Sequence, residues 1–209
     1  MKHTTTTPLR TWMFAALLGT LASTPTLAKP SSAATQATLD ATEAAGLTFM
    51  REEEKLARDV YQYLYPLWNA TLFDNISQSE QTHFEAVGDL LERYRLSDPA
   101  TPDVPGNFQD PELQALYDQL VASGSTSALA ALRVGALIEE TDMVDLADAI
   151  EATDQPDIIQ VYGNLLRGSR NHLRSFVAAI EAMGIPYVAQ VLTQAEVDAI
   201  VDSPMERGR

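Results

Sequence analysis

The chain reads as an all-α protein built on a four-helix bundle with a long crossover and short extra helices. Three observations carry that expectation. Four long segments repeat apolar side chains at i, i+3, i+4 and i+7, the period of a buried helix face. No segment sustains the two-residue alternation of a strand. Residues 97–111 hold Pro99, Pro102, Pro105 and Pro111, so a loop must separate the second and third helical patterns. One long connection at that point suits an up-down bundle with a single crossover.

Residues 1–28 are expected to be removed. Lys2 and Arg10 precede a short apolar run, Trp12 to Ala22, and Thr26-Leu27-Ala28 then ends in a small residue before Lys29-Pro30. That order is a secretory signal peptide, and the run is too short to span a bilayer. The protein is therefore expected to be exported, periplasmic or extracellular, with no membrane span left after cleavage. Residues 29–40, rich in Ser, Ala, Thr and Pro, read as a flexible arm. The bundle is expected over 41–187, followed by a short helix and tail over 188–209.

Within the bundle the first helix is expected over Ala41–Leu64, ending before Pro66, and the second over Asp74–Leu96. Pro111 opens a short helix over Glu112–Ala122, closed by Gly124. Ser125, Thr126 and Ser127 offer N-cap oxygens for a helix over Ala128–Ala152. Asp154 as a cap and Pro156 in the first turn start a further helix, which runs to Met183 and stops at Gly184 and Pro186. Thr193-Gln-Ala-Glu196 is a capping box for the last helix.

Charge narrows the function classes. The chain has 29 acids against 14 lysines and arginines, a net charge of −15, and every acid lies beyond residue 28. Nucleic acid is excluded as a partner, because phosphate binding needs a basic face. Cations are attracted instead. The chain has no cysteine, which removes disulfides, thiolate ligands, thiol catalysis and a lipid anchor.

Polar residues interrupt every apolar stripe. The first helix reads Leu47, Met50, Glu54, Ala57, Tyr61, Leu64, and the second Ile76, Glu80, His83, Val87, Leu90, Tyr94. The third long helix reads Leu132, Gly135, Glu139, Met143, Leu146, Ile150, with Asp142 beside Met143. The fourth reads Tyr162, Leu165, Ser169, His172, Phe176, Ile180. A buried carboxylate is costly unless paired, protonated or metal-bound. Four helices placing such groups at comparable depth predicts that the groups meet. Glu80-x-x-His83 aims both side chains at one spot, the arrangement by which helical bundles hold di-iron or di-manganese centres. Carboxylate and imidazole donors suit iron, manganese or zinc.

These segments resemble known motifs. Glu54-Lys-Leu-Ala57-Arg58-Asp-Val-Tyr61 is similar to the first-helix motif of rubrerythrins, Glu80-x-x-His83 to their second, and Glu139-x-Thr141-Asp142-Met143 to their third. Four blocks together resemble the family called domain of unknown function 2202: Arg51–Tyr61, Ser79–His83, Gly135–Asp142 and Gly168–Leu173. The resemblance covers about residues 45–185 and implies a ferritin-like fold, with no established activity. Rubrerythrins carry Glu-x-x-His on the fourth helix as well; here Ser169-x-x-His172 stands in that place. The rubredoxin-type iron site is missing, because there is no cysteine.

The expected metal ligands are Glu54, Glu80, His83, Glu139 and His172, with Tyr61, Asp142, Ser169 and Arg170 around them. The metal is expected to be iron first, with manganese or zinc as alternatives, one or two ions per chain. Bland alternatives stand beside this set. Glu52 and Glu53 read as a solvated charge run. Glu80 could close a capping box with Ser77, although Phe73 and Ile76 place the helix start earlier. Glu139 and Glu140 compete for the inward position. Tyr61 reads first as core packing, and His172 could be a core histidine. Asp142 could orient a histidine or pair with Arg167 or Arg170. With Arg167, Arg170 and Arg174 neutralising the acids, the bundle would need no metal. The expected function is a metal-binding oxidase- or peroxidase-type protein. The rivals are a non-catalytic module with a salt-bridged core, and a metal carrier or sensor. A second copy of the chain, as a homodimer, is a candidate partner.

Overall fold

The computed structural model describes residues 38–207; the expected signal peptide and residues 29–37 of the expected arm lie outside the described residues. Among the described residues six helices follow one another: α1 (Ala41–Trp68), α2 (Thr71–Tyr94), α3 (Pro111–Gly124), α4 (Ala128–Glu151), α5 (Pro156–Glu181) and α6 (Gln194–Val201). Among the described residues there is no strand. None of these helices is long and apolar enough to cross a membrane.

The ends follow local chemistry, with some corrections. Asp40 caps α1 through a capping box with Glu43, so the last residue of the expected arm is structural. α1 runs four residues past its expected end and carries Pro66 in its last turn. A proline there removes a single N–H, and the helix closes beyond it. Asn69 turns left-handed (φ 49°) and its N–H reaches the Tyr65 carbonyl at 2.7 Å. Trp68 fastens this end by donating to the Gly124 carbonyl at 2.9 Å. α2 accordingly starts at Thr71, earlier than expected, and ends on left-handed Arg95. The N-cap of α5 is Gln155 and not Asp154, and Pro156 takes the first position. The capping box of Thr193 and Glu196 starts α6 as expected.

α1 packs along α2, and α4 along α5. Contacts of α1 with α4 and of α2 with α5 join the two pairs, α3 lies on α1 and α4, and α6 lies on α5. The apolar interior divides in two. One cluster gathers Tyr61, Phe73 and Phe176, with ring centroids 5.4–6.0 Å apart, together with Leu64, Ala131, Leu173 and Ile180. The other gathers Leu47, Met50, Val87, Leu90, Leu146, Ile158 and Leu165. On α1, α2 and α5 the polar residues of the stripe fall between the segments that supply the two clusters; on α4, Glu139 and Asp142 lie at the end of the first cluster's segment, before Leu146 of the second. The packing thereby sets a polar layer between two water-excluding ones.

The acidic run of α1 is buried, contrary to expectation. Glu52 is 3 % exposed, Glu53 6 % and Lys55 0 %. The reason lies in the connection after α2, which folds back over this helix. Glu52 accepts from the amides of Gln109 and Asp110 at 2.6 and 2.9 Å. Lys55 Nζ donates to Asp59 at 2.5 Å and to the Val104 carbonyl at 2.8 Å. Arg51 pairs with Asp98, and Arg58 with Asp103, at 2.8 and 2.7 Å. Arg51, Glu52, Lys55, Arg58 and Asp59 thus each find an opposite charge or amide, which offsets their desolvation. Glu53 and Glu54 instead turn away from this connection, Glu53 toward the acids of α4 and Glu54 toward Glu80 and His83.

Candidate metal centre

The polar layer brings the expected donors together in two triads. One consists of Glu54, Glu80 and His83; the other of Glu80, Glu139 and His172. All five are buried, none more than 7 % exposed. His83 Nδ1 stands 2.7 Å from Glu80 Oε2 and 3.3 Å from Glu54 Oε2. His172 Nδ1 stands 2.7 Å from Glu80 Oε1 and 3.3 Å from Glu139 Oε2. Glu80 therefore faces a different triad with each oxygen. The two rings lie 5.5 Å apart, tilted by 31°.

These close contacts are not aligned hydrogen bonds. Neither Nδ1 makes one, and Oε1 of Glu54 and of Glu80 is also buried without a donor. The spacing has another physical reading. A metal bound at about 2.1 Å to ligands 90–110° apart holds neighbouring donor atoms about 3.0–3.4 Å from each other. The two contacts at 3.3 Å match the edges of such a polyhedron, while the two at 2.7 Å are shorter, the length of a charge-assisted contact between imidazolium and carboxylate. The donor chemistry, three carboxylates and two imidazoles, fits iron, manganese or zinc.

Electrostatics without a metal is tense. Burial pushes the Glu54 carboxyl up to about 7, against the lowering pull of His83 and with Glu80 adding to the rise. Burial likewise raises Glu139, with His172 opposing. Glu80 behaves oppositely. Burial would raise it, but the two imidazoliums hold it well below the usual carboxylate range. Burial opposes charge on His172, yet Glu80 and Glu139 carry it up to about 10. His83 is raised for the same reasons, by Glu80 and Glu54. Protons on the imidazoles thus supply the positive charge that these carboxylates need, and a cation could replace them.

The surrounding residues sort clearly. Tyr61 is both core packing and hydrogen bonder: its hydroxyl donates to Glu139 Oε1 at 2.5 Å, leaving Oε2 for the triad. Glu139 is the inward residue of its pair. Glu140 is equally buried but faces the other way, accepting from Tyr187 Oη and from the amides of Gln190, Val191 and Leu192. Ser169 Oγ donates to Asp142 Oδ2 and to the Leu165 carbonyl. Asp142 pairs with no arginine. Arg170 is a correction, since it and Arg174 pair with Glu206 at 2.6 and 3.1 Å, away from the donors. Arg167 donates to Asn164. The three arginines of α5 therefore do not neutralise the acids of this layer.

Two participants escaped sequence reasoning. Ser79 Oγ lies 2.9 Å from His172 Nε2, which fixes that ring and turns Nδ1 toward the triad. Gly168 gives His83 its place: a Cβ there would lie 2.6 Å from the ring's Cε1 and Nε2. Both stand inside segments singled out by resemblance, Ser79–His83 and Gly168–Leu173, but neither residue type announces such a role.

Known proteins share this arrangement of chain. The sequence is 48% identical over 166 residues to Uncharacterized protein MJ0754 of Methanocaldococcus jannaschii, covering 79% of this chain and 90% of that protein. Its fold is similar to the crystal structure of hypothetical protein MJ0754 from Methanococcus jannaschii, with a TM-score of 0.80 and 45% identity over 84% of this chain and 100% of that one. The blocks that carry the donors all lie within residues 43–204, the span matched by one family model, and the chain belongs to that family, described as Uncharacterized protein domain (DUF2202).

Proposed function

We propose that the four long helices form a ferritin-like four-helix bundle and that the chain is an exported metalloprotein with a two-metal centre. Iron is the first choice of metal, with manganese or zinc as alternatives. The observation that carries this reading is the sharing of Glu80. Its two oxygens face two separate triads whose donor atoms lie within 4.8 Å of one another, and Glu80 Oε1 and both imidazole Nδ1 atoms lack an aligned hydrogen bond. Four carboxylates on the helices would be usual for such a centre. Here Ser169 lacks one, and Asp142, held by the Ser169 hydroxyl, stands beside the donors instead.

Reduced iron or manganese at this centre would supply electrons to O₂ or peroxide. The chain's own residues prepare for that work. Glu54 and His83 would hold one ion, Glu139 and His172 another, and Glu80 faces both triads. Tyr61 restrains Glu139, and Ser79 restrains His172. The buried carboxylates favour the more highly charged, oxidised metal. The apolar clusters on either side keep bulk water away. His83 and His172 carry protons that balance the surrounding carboxylates and would give them up to a bound cation.

Anaerobic loading with Fe(II), Mn(II) or Zn(II), followed by elemental analysis, tests the reading. Wild type is expected to hold two ions per chain, His83→Ala one, and Glu80→Gln none with comparable affinity. Peroxide consumption or Fe(II) oxidation should then fall away in a His83→Ala, His172→Ala double variant. A wild type that takes up no specific metal would sink the reading. Metal binding without any turnover would leave a carrier or sensor.

A further inference from the structure

The acids of α4 do not stop at the metal donors. Glu139, Asp142, Asp145 and Asp148 stand three residues apart. Each step turns about 300° round the helix, so the series drifts by about 60° per step and winds from the core face toward solvent. Exposure follows the drift: Glu139 and Asp142 are buried, Asp145 is half-buried and Asp148 is exposed. Glu53 reaches in from α1 to join them. Its carboxyl lies within electrostatic reach of those of Asp145, Asp142 and Glu54. Asp142 in turn feels Glu54, Glu139 and Glu80.

Two atoms in this file of acids lack partners. No amide, hydroxyl or cationic donor reaches Glu53 Oε2 or Asp142 Oδ1, although both residues are only 6 % exposed. An acid kept for structure alone would be expected to find a donor, as Glu52 and Glu140 do. The neighbouring cations of α1 are engaged elsewhere: Arg51, Lys55 and Arg58 all hold the connection after α2. The carboxylates thus form an unbroken series from solvent to the metal donors, with no fixed positive charge among them.

We infer that Glu53, Asp142 and Asp145 form a transit site at the meeting of α1 and α4, through which a divalent transition-metal ion passes from solvent to the core donors. Asp148 marks its outer end. Oxygen donors of this kind suit hard or borderline cations such as Fe(II), Mn(II) and Co(II). A passage lined by one sign of charge raises the local concentration of its counter-ion and speeds loading by a factor of ten or more. The inference rests on the metal reading above but concerns different residues.

The test is a loading rate. The apo form of the full chain is mixed rapidly with Co(II), and the visible absorption of the bound ion is followed. Asp145→Asn and Glu53→Gln are each expected to slow loading at least tenfold while the final stoichiometry stays at the wild-type value. Glu85→Gln, which removes an exposed acid of α2, is expected to load at the wild-type rate. Loading of Asp145→Asn at the wild-type rate would overturn the transit site and leave the core centre standing. A loss of stoichiometry rather than speed would also overturn it, by making the residue a ligand. A wild type that binds no Co(II) overturns both readings. Thermal melting of each variant checks folding; should Glu53→Gln not fold, an Asp145→Asn, Asp148→Asn variant at the outer end carries the test.

Discussion

Replacing Gly168 by alanine tests the geometry of the centre without touching a donor. The new Cβ would lie 2.6 Å from Cε1 and Nε2 of His83, whereas ordinary contact begins near 3.4 Å. The ring must therefore retreat by roughly 0.8 Å. Its other side carries Nδ1, which sits 2.7 Å from Glu80 and 3.3 Å from Glu54, so that nitrogen moves with it. A metal–nitrogen bond of about 2.1 Å tolerates about 0.2 Å of displacement, and the retreat is several times larger. We expect the affinity of the Glu54–Glu80–His83 position to fall by about a hundredfold or more. The Glu80–Glu139–His172 position should keep its affinity to within about tenfold. Two opposing effects act on the apo fold. Overpacking costs about 1–3 kcal/mol, and exchanging a helical glycine for alanine returns about 1 kcal/mol. The variant should therefore stay folded, with a melting temperature only slightly lowered. Anaerobic calorimetric titration with Fe(II) or Co(II) would resolve the two positions. Two ions bound with wild-type affinity by a folded Gly168→Ala variant would refute the reasoning.

Two further predictions concern stability. Glu140→Ala removes the acceptor of the Tyr187 hydroxyl and of three consecutive amides, so it should cost about 3–5 kcal/mol in denaturant unfolding. The amides of Gln190, Val191 and Leu192 should lose hydrogen-exchange protection first, and unchanged protection would contradict the role given to Glu140. The second prediction is a pH dependence. The hydrogen bond from Arg170, opposed by slight burial and helped by Arg174, holds Glu206 down to about 2. A carboxyl lowered on folding stabilises the protein above its ordinary value of 4.5, and that contribution disappears as pH falls toward 2. Because the side chain is still 30 % exposed, solvent screening limits it to about 1 kcal/mol. Wild type should exceed Glu206→Gln by about that amount near neutral pH and match it near pH 2; a gap independent of pH would argue against the pairing.

Local sequence revealed those parts of the site that depend on helical phase. Glu54, Glu80, His83, Glu139 and His172 each stand in register with apolar neighbours on their own helix, and folding needs only to bring the faces together. Phase favoured Glu139 but left Glu140 in competition, and the amides of Gln190, Val191 and Leu192 decide between them. What phase could not reveal is contact between distant segments. Glu52 looks like a surface acid until the amides of Gln109 and Asp110 arrive from more than fifty residues away. Arg170 lies two residues from His172 and looks like a partner for Asp142, but the tail offers it Glu206. Pro66 looked like a stop because a proline forbids only what its own geometry reaches, and the helix closes one turn later on Asn69. Gly168 and Ser79 act through an absent side chain and a single hydroxyl, and neither leaves a periodic mark.

Every residue of α1 from Met50 to Tyr61 is buried, although seven of these twelve are charged. One side of this segment faces the donors and α4, while the other braces the connection after α2. Charge here is interior building material. Anyone redesigning the protein for solubility or altered net charge would start from the richest charged run in the sequence, Arg51–Lys55, and would be removing struts rather than repainting a surface. The safe positions for such engineering lie elsewhere, on solvent-facing acids such as Glu85 and Glu112, where the side chains are exposed.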